Sequence, residues 1–130
     1  MISTLTSCSG QSNNNWKVDI GIRNTGTNMI GDASVSWGKY CFNAGFVAAT
    51  KEAVHVAFDH PIPETATVGY SLPGGRMITK KLAVKNAVPA AAQKDKDITV
   101  MFEVNSNNDD IAVKVLHFIQ KDGYAQLVPF

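Results

Sequence analysis

From residue 16 onward, apolar and polar residues alternate along most of the chain, and turn-forming residues separate the alternating runs. In residues 16–23 every second residue is apolar. This period of two is typical of a strand with one buried and one solvated face. The same pattern predicts further strands at residues 29–37, 46–48, 53–58, 65–72, 77–84, 98–104, 111–119 and 124–130.

Glycine, proline, asparagine and aspartate mark the connections between these runs. Residues 24–28 have the composition of a turn, and Pro73-Gly74-Gly75 predicts a hairpin. We expect residues 39–43 to be an irregular connection. Residues 90–94 are rich in alanine but predict one helical turn at most, because so short a segment makes no stable helix.

Eight or nine short strands without an amphipathic helix predict an all-β fold. We expect an antiparallel two-layer sandwich of immunoglobulin-like type, with a small barrel as the second choice. The 130 residues allow one hydrophobic core, so residues 16–130 are predicted to form a single domain and residues 1–15 a polar N-terminal segment. The expected core is Trp16, Val18, Ile20, Val35, Trp37, Val56, Val100, Phe102, Val113 and Val115.

Charge and hydropathy exclude several classes of function. The formal net charge is +1, and the basic residues are not concentrated in one cluster, so we expect no nucleic-acid partner. No apolar run approaches the ~20 residues that span a bilayer. The sequence lacks a CxxC motif and a Cys/His quartet of the kind that binds zinc. We therefore predict no metal and no cofactor.

The asparagine- and aspartate-rich residues 105–110 resemble a calcium loop only superficially. The sixth position is not glycine, and the twelfth is Leu116 where an EF-hand has glutamate. A turn is the simpler interpretation of this composition.

The candidate catalytic residues are three histidines and a few side chains near them. His55 is expected to face solvent, and His117 is in phase with the apolar residues of its strand. His60 follows Asp59 in a predicted loop, and Ser34 or Ser36 would complete a triad on paper. A triad depends on geometry, and the sequence has no Gly-x-Ser-x-Gly elbow. We therefore expect that the protein is not an enzyme.

The N-terminal Leu5-Thr6-Ser7-Cys8 resembles the lipobox of bacterial lipoproteins, and a polar run follows it. The resemblance implies lipid attachment at Cys8, and Ser9 in the next position implies the outer membrane as the address. Only seven residues precede Cys8, so Met1 would have to lie inside a longer precursor. A Cys8–Cys41 disulfide in an oxidising compartment is the alternative.

Several short motifs resemble those of small lipoproteins that act as immunity proteins against type VI secretion effectors. They are Trp37-Gly38, Asn43-Ala44-Gly45-Phe46, His60-Pro61-Ile62-Pro63, Thr67-Val68-Gly69-Tyr70 and the strand at residues 98–104. The resemblance implies a protein of the Gram-negative periplasm, attached to the membrane only by its lipid. It would bind a toxic effector enzyme and block it.

Such an inhibitor would recognise its partner through loops, because the strands are needed for the core. The predicted contact residues lie at residues 39–43, 59–62 and 105–110. Aromatic anchors among them would contribute binding energy, and acidic residues would raise the association rate. The predicted contact residues are Tyr40, Phe42, Asp59, His60, Asp109 and Asp110. Alternatively, the two aromatics complete the core and the aspartates only form turns. A generic envelope ligand-binding module, such as a carbohydrate-binding or assembly lipoprotein, is the second hypothesis for function, and a small hydrolase is the third.

Overall fold

The computed structural model describes residues 17–95 and 97–130, and for residues 93–95 it describes the backbone only. Trp16, one of the expected core residues, lies outside the described residues. The strands in chain order are β1 Lys17–Asn24, β2 Ile30–Trp37, β3 Tyr40–Val47, β4 Glu52–His55, β5 Thr65–Ser71, β6 Met77–Ala83, β7 Asp97–Val104, β8 Ile111–Lys121 and β9 Tyr124–Pro129. A 3-10 turn, Lys85–Ala87, and one short helix, α1 Ala90–Asp95, precede β7.

The strands form two sheets that pack face to face. The five-stranded sheet has the order β4-β1-β7-β8-β9, and the four-stranded sheet has the order β3-β2-β5-β6. All neighbouring strands are antiparallel except β1 and β7, which run parallel from Lys17 and Asp97 to Asn24 and Val104. The predicted all-β two-layer sandwich is confirmed, and neither sheet closes into a barrel.

The predicted connection at residues 39–43 is wrong for residues 40–43, which belong to β3, whereas Lys39 lies in the turn between β2 and β3. Gly38 has a φ of +62° and allows a tight turn, so that Trp37 pairs with Tyr40. The alternation in β3 is hidden by Gly45, whose φ is +71°, and by register shifts where β2 pairs with β3. Irregular pairing of this kind bends a strand and interrupts its period of two.

The core lies between the two sheets and centres on Trp37. Its ring makes edge-to-face contacts with Phe58 and Phe102, at centroid distances of 6.3 and 6.5 Å. The expected core residues Val18, Ile20, Val35, Trp37, Val100, Phe102 and Val115 are buried, and Val113 is half-buried.

Val56 does not belong to the core, because 70% of its surface is exposed. The strand β4 ends at His55, and Ala57 has a φ of +59°. This left-handed residue breaks the alternation, so Phe58 enters the core while Val56 faces solvent.

Replacing Phe102 by alanine should lower the free energy of unfolding by about 3–5 kcal/mol, because the ring is fully buried between the sheets. The matched control is Phe46→Ala, since the ring of Phe46 is largely exposed, and its effect should stay within about 0.5 kcal/mol. Denaturant unfolding of both variants measures the difference. Equal midpoints would contradict the assigned core.

Candidate binding site at one end of the sandwich

At one end of the sandwich, residues 56–63 fold back against the beginning of β1. The ladder between β1 and β4 ends at the pair Ile20 and His55. Beyond it, two carboxylates take the place of backbone acceptors. Asp59 Oδ1 accepts a hydrogen bond from the Val18 amide, and Asp19 Oδ1 accepts one from the Ala57 amide, each at 2.8 Å. These bonds hold the segment next to the turn between β2 and β3.

Aromatic rings fill the space between this segment and β3. Tyr40 stacks on His60 with a centroid distance of 3.7 Å and an angle of 8° between the planes. Phe58 contacts both His60 and His55 edge-to-face, at 4.7 and 5.0 Å. Both histidines therefore contact the same buried phenylalanine.

A depression of about 300 Å³ lies beside these rings. It is mainly apolar, and it is lined by Trp37, Gly38, Lys39, Tyr40, Pro61, Ile62 and Pro63. The Nε1 of Trp37 is buried and has no hydrogen-bond acceptor in the described part of the chain. An unpaired buried donor is unfavourable by about 1–3 kcal/mol. Lys39 Nζ lies 5.6 Å from the centre of the Tyr40 ring and adds a positive charge.

Burial lowers the pKa of His60 below its ordinary value of 6.5, because the imidazolium loses solvation. The neighbouring Asp59 carboxylate opposes this effect, and His55 adds to it. The neutral ring is therefore favoured in the stack with Tyr40.

The structure brings together three of the predicted contact residues, which are Tyr40, Asp59 and His60. Phe42 is not available to a partner because it belongs to the core and is only 8% exposed. The alternative of a core role therefore holds for Phe42, while Tyr40 is half-buried at the rim of the depression.

Asp109 and Asp110 lie at the opposite end of the sandwich, about one strand length or roughly 25 Å away. Asp110 Oδ1 bonds with Lys80 Nζ at 2.6 Å, and this hydrogen bond lowers the pKa of the carboxyl group. Asp109 Oδ1 accepts a bond from Asn105 Nδ2, and Asn105 Oδ1 in turn accepts bonds from the amides of both aspartates. These are the bonds of turn-forming residues.

A buried amide pair closes the same opposite end. Asn108 Nδ2 bonds with Asn24 Oδ1 at 3.0 Å, and the Asn108 carbonyl accepts the hydroxyl of Tyr70 at 2.7 Å. Burial raises the pKa of Tyr70 to about 12. The loop at residues 105–110 is thus tied to both sheets from within.

The four-stranded sheet separates Ser34 and Ser36 from His60, so the structure does not assemble a Ser-His-Asp triad from these residues. Ser34 and Ser36 alternate with the buried Val35 and Trp37 and face away from the core, whereas His60 contacts Phe58 on the core side. Among the described residues, no group of three or more His, Cys, Asp or Glu side chains is placed to hold a metal ion, and no helix is long and apolar enough to cross a membrane.

The state of the two cysteines decides whether Cys8 is available for the predicted lipid attachment. Cys41 lies in β3 and is disulfide-bonded. Cys8 lies outside the described residues, so its lipid attachment stays a prediction. Because Cys8 is the one other cysteine of the sequence, a disulfide of Cys41 within the chain would use the sulfur that lipidation requires.

Sequence reasoning did not identify Trp37 and Pro63 as part of a site. The alternation predicts Trp37 as a core residue alone, although it also lines the depression. The sequence feature that could have located the site is the spacing of Trp37, Gly38 and Tyr40, because a glycine between two aromatics allows a tight turn that places both at one end of the sandwich.

Comparisons with known proteins show the fold and no more. No protein-family model matches the sequence, and no curated protein is significantly similar to it. The chain is similar to an NMR structure of a protein from Eubacterium rectale, with a TM-score of 0.51 and 17% sequence identity over 82% of this chain and 92% of that one.

Acidification should weaken the fold through His60. The pKa of His60 in the folded state is lowered, so the unfolded state takes up a proton first, and stability that is present above pH 6.5 is lost as the pH falls towards the folded pKa. The variant His60→Phe keeps a ring beside Tyr40 and removes the titration. Urea unfolding at about pH 7.5 and about pH 5.5 should show a smaller loss of stability for this variant than for the wild type.

A second variant, His60→Gln, removes the titration together with the aromatic ring. It should be less stable at both pH values but should show the same reduced dependence on pH. If both variants lose as much stability on acidification as the wild type does, His60 is not the group that titrates.

Proposed function

We propose that the domain is a non-catalytic binding module that recognises a protein partner through the apolar depression beside Tyr40. The observation that carries the proposal is the depression itself, which is lined by Trp37, two prolines and an isoleucine. The hydrogen bonds of Asp19 and Asp59 hold the segment that forms part of this lining. Binding energy at protein interfaces concentrates where aromatic and apolar groups are desolvated. A preorganised depression loses little entropy on binding.

The lining favours an apolar side chain of a protein over a sugar. A carbohydrate-binding surface usually offers exposed aromatic planes with polar groups around them. Here Trp37 is fully buried, and one plane of Tyr40 is covered by His60. A side chain that enters the depression would contact Ile62 and the prolines. The generic ligand-binding module therefore stays the second hypothesis.

The polar groups at this end support a binding role more than a catalytic one. Asp59 Oδ1 bonds with a backbone amide of β1, and the ring of His60 lies between Tyr40 and Phe58. Both side chains contribute to holding the segment at residues 56–63. The charge of Lys39 at the rim favours a partner with acidic residues around its inserted side chain, which would raise the association rate.

The specific form of the proposal is an immunity protein of the Gram-negative periplasm that blocks a toxic effector enzyme. It rests on the resemblance of the short motifs described above. The disulfide at Cys41 supports an oxidising compartment, since disulfides persist outside the cytosol.

Deleting the gene should make cells of the native organism sensitive to toxin-delivering siblings, because the effector would then be unblocked. Wild-type protein supplied in trans should restore survival. The variant Ile62→Asp should fail to restore it, since a carboxylate in the apolar depression opposes insertion of the partner and weakens binding by more than about tenfold. Competitive co-culture measures survival.

The matched control is Asp109→Ala at the opposite end of the sandwich, which should restore survival like the wild type. Thermal unfolding of Ile62→Asp verifies that the variant folds. Full survival of cells without the gene would contradict the immunity function, and full rescue by Ile62→Asp would contradict the assigned site.

The state of Cys8 can be measured on protein recovered from the native organism. A lipid-anchored protein should fractionate with membranes, and its N-terminal peptide should carry the mass of a diacylglyceryl group. A disulfide between Cys8 and Cys41 should instead give a linked peptide pair that separates on reduction. Peptide mapping without reductant distinguishes the two, and Cys41→Ser should abolish the linked pair while leaving lipidation unaffected.

A further inference from the structure

The hairpin of β8 and β9 projects beyond the rest of the five-stranded sheet. β8 pairs with β7 only as far as the pair Thr99 and Leu116, and β9 pairs with the remainder of β8 from Leu116 to Lys121. No other strand of the described part of the chain lies beside β9. A two-stranded ribbon is only marginally stable by itself in water.

Large apolar side chains are exposed on both faces of this ribbon. Phe118 pairs with Leu127 on one face and is 58% exposed, while Tyr124 lies on the other face and is 72% exposed. Ala125 and Gln126 between them are exposed as well. The ribbon therefore offers apolar surface together with an open strand edge.

The geometry of the turn identifies the groups along that edge. Asp122 and Gly123 have positive φ values of 54° and 83° and form a two-residue turn between the paired residues Lys121 and Tyr124. In such a hairpin the residues next to the turn bond with each other, and the bonding pairs alternate from there. The amides of Ala125 and Leu127 consequently point away from β8.

The other three edges of the two sheets carry features that prevent strand pairing. β4 has four residues and begins with Glu52. β3 contains Gly45 in a left-handed conformation, with shifted register. β6 carries Lys80 and Lys81. β9 has none of these features, and among the described residues only Pro129 at its end disfavours pairing.

We propose that the outer edge of β9 pairs antiparallel with the same strand of a second copy of this chain, so that the two five-stranded sheets join across a twofold axis. When a strand pairs antiparallel with the same strand of a second copy, the residues close to the twofold axis lie beside their own equivalents, and these contacts must not be repulsive. β9 carries no charged residue, so self-pairing brings no like charges together. The two projecting hairpins become a four-stranded ribbon, which covers part of Phe118 and Tyr124.

This dimer leaves the depression beside Tyr40 accessible. β9 and β4 are at opposite edges of the five-stranded sheet, and the depression is formed by the segment that follows β4. The inference is independent of the proposed function, because the two use different surfaces and different experiments.

Light scattering after size exclusion should show the full chain at twice its monomer mass, with a dissociation constant in the micromolar range. Ala125→Lys and Ala125→Glu should each weaken the dimer by at least about tenfold, because like charges then meet across the axis. An equimolar mixture of the two variants should form a heterodimer, visible by native mass spectrometry. The matched control is Ala83→Lys, on the exposed edge strand β6, which should dimerise like the wild type.

A denaturing gel without reductant excludes a dimer linked through cysteine, and circular dichroism verifies that each variant folds. The variant Ala125→Pro tests the same edge without adding charge, since it removes an outward amide and no bond to β8. A monomer at every concentration would overturn the proposal. Dimers that persist in all three Ala125 variants, or a mixture without heterodimer, would overturn it as well.

Discussion

The candidate site depends on two carboxylates that continue a strand ladder after its backbone has ended. Asp19 and Asp59 each accept a backbone amide from the other's segment, one from Ala57 and one from Val18. If the backbone ladder between β1 and β4 had continued, residues 56–63 would have stayed paired with β1 and would not have covered this end of the sandwich. Side-chain acceptors allow the backbone to turn away from β1 while these two amides stay hydrogen-bonded. The depression, the Tyr40 and His60 stack and the position of Phe58 all follow from this arrangement.

Phe58 links residues 56–63 to the core, because its ring contacts Trp37 as well as His55 and His60. The same aromatic contacts that stabilise the sandwich thus determine the shape of the site. A change of charge on His60 acts on a ring that is stacked against Tyr40 and packed against Phe58. Stability and recognition at this end are therefore coupled through shared side chains, in contrast to the opposite end, where Asn24 and Asn108 form a purely polar closure.

The period of two predicted the sandwich well, because each sheet buries one face and alternation is a direct consequence. It failed where the backbone is left-handed. Ala57 shifted the phase between Val56 and Phe58, and the irregular pairing of β3 concealed a strand that carries Tyr40 and Phe42. Of the predicted contact residues, Tyr40, Asp59 and His60 lie close together, and their role in binding stays a prediction. Asp109 and Asp110 could not be separated from them by sequence, because the distance between loops depends on strand order, and the parallel pairing of β1 with β7 has no local pattern.

The strand order also explains why β9 differs from the other edges. β4 and β6 end their sheets in contact with a strand of the opposite sheet, whereas β9 pairs with β8 from Leu116 onward, where the pairing of β8 with β7 ends. A charged residue can protect such an edge against pairing with another strand. Lys80 in β6 is an example, and its charge is compensated by the bond with Asp110. A projecting ribbon has no opposite layer to cover its apolar side chains, and an added charge would not bury them. Pairing with a second copy satisfies the open amides of Ala125 and Leu127 and reduces the exposed apolar surface at the same time. One contact thereby meets two requirements that the fold of a single chain leaves unmet.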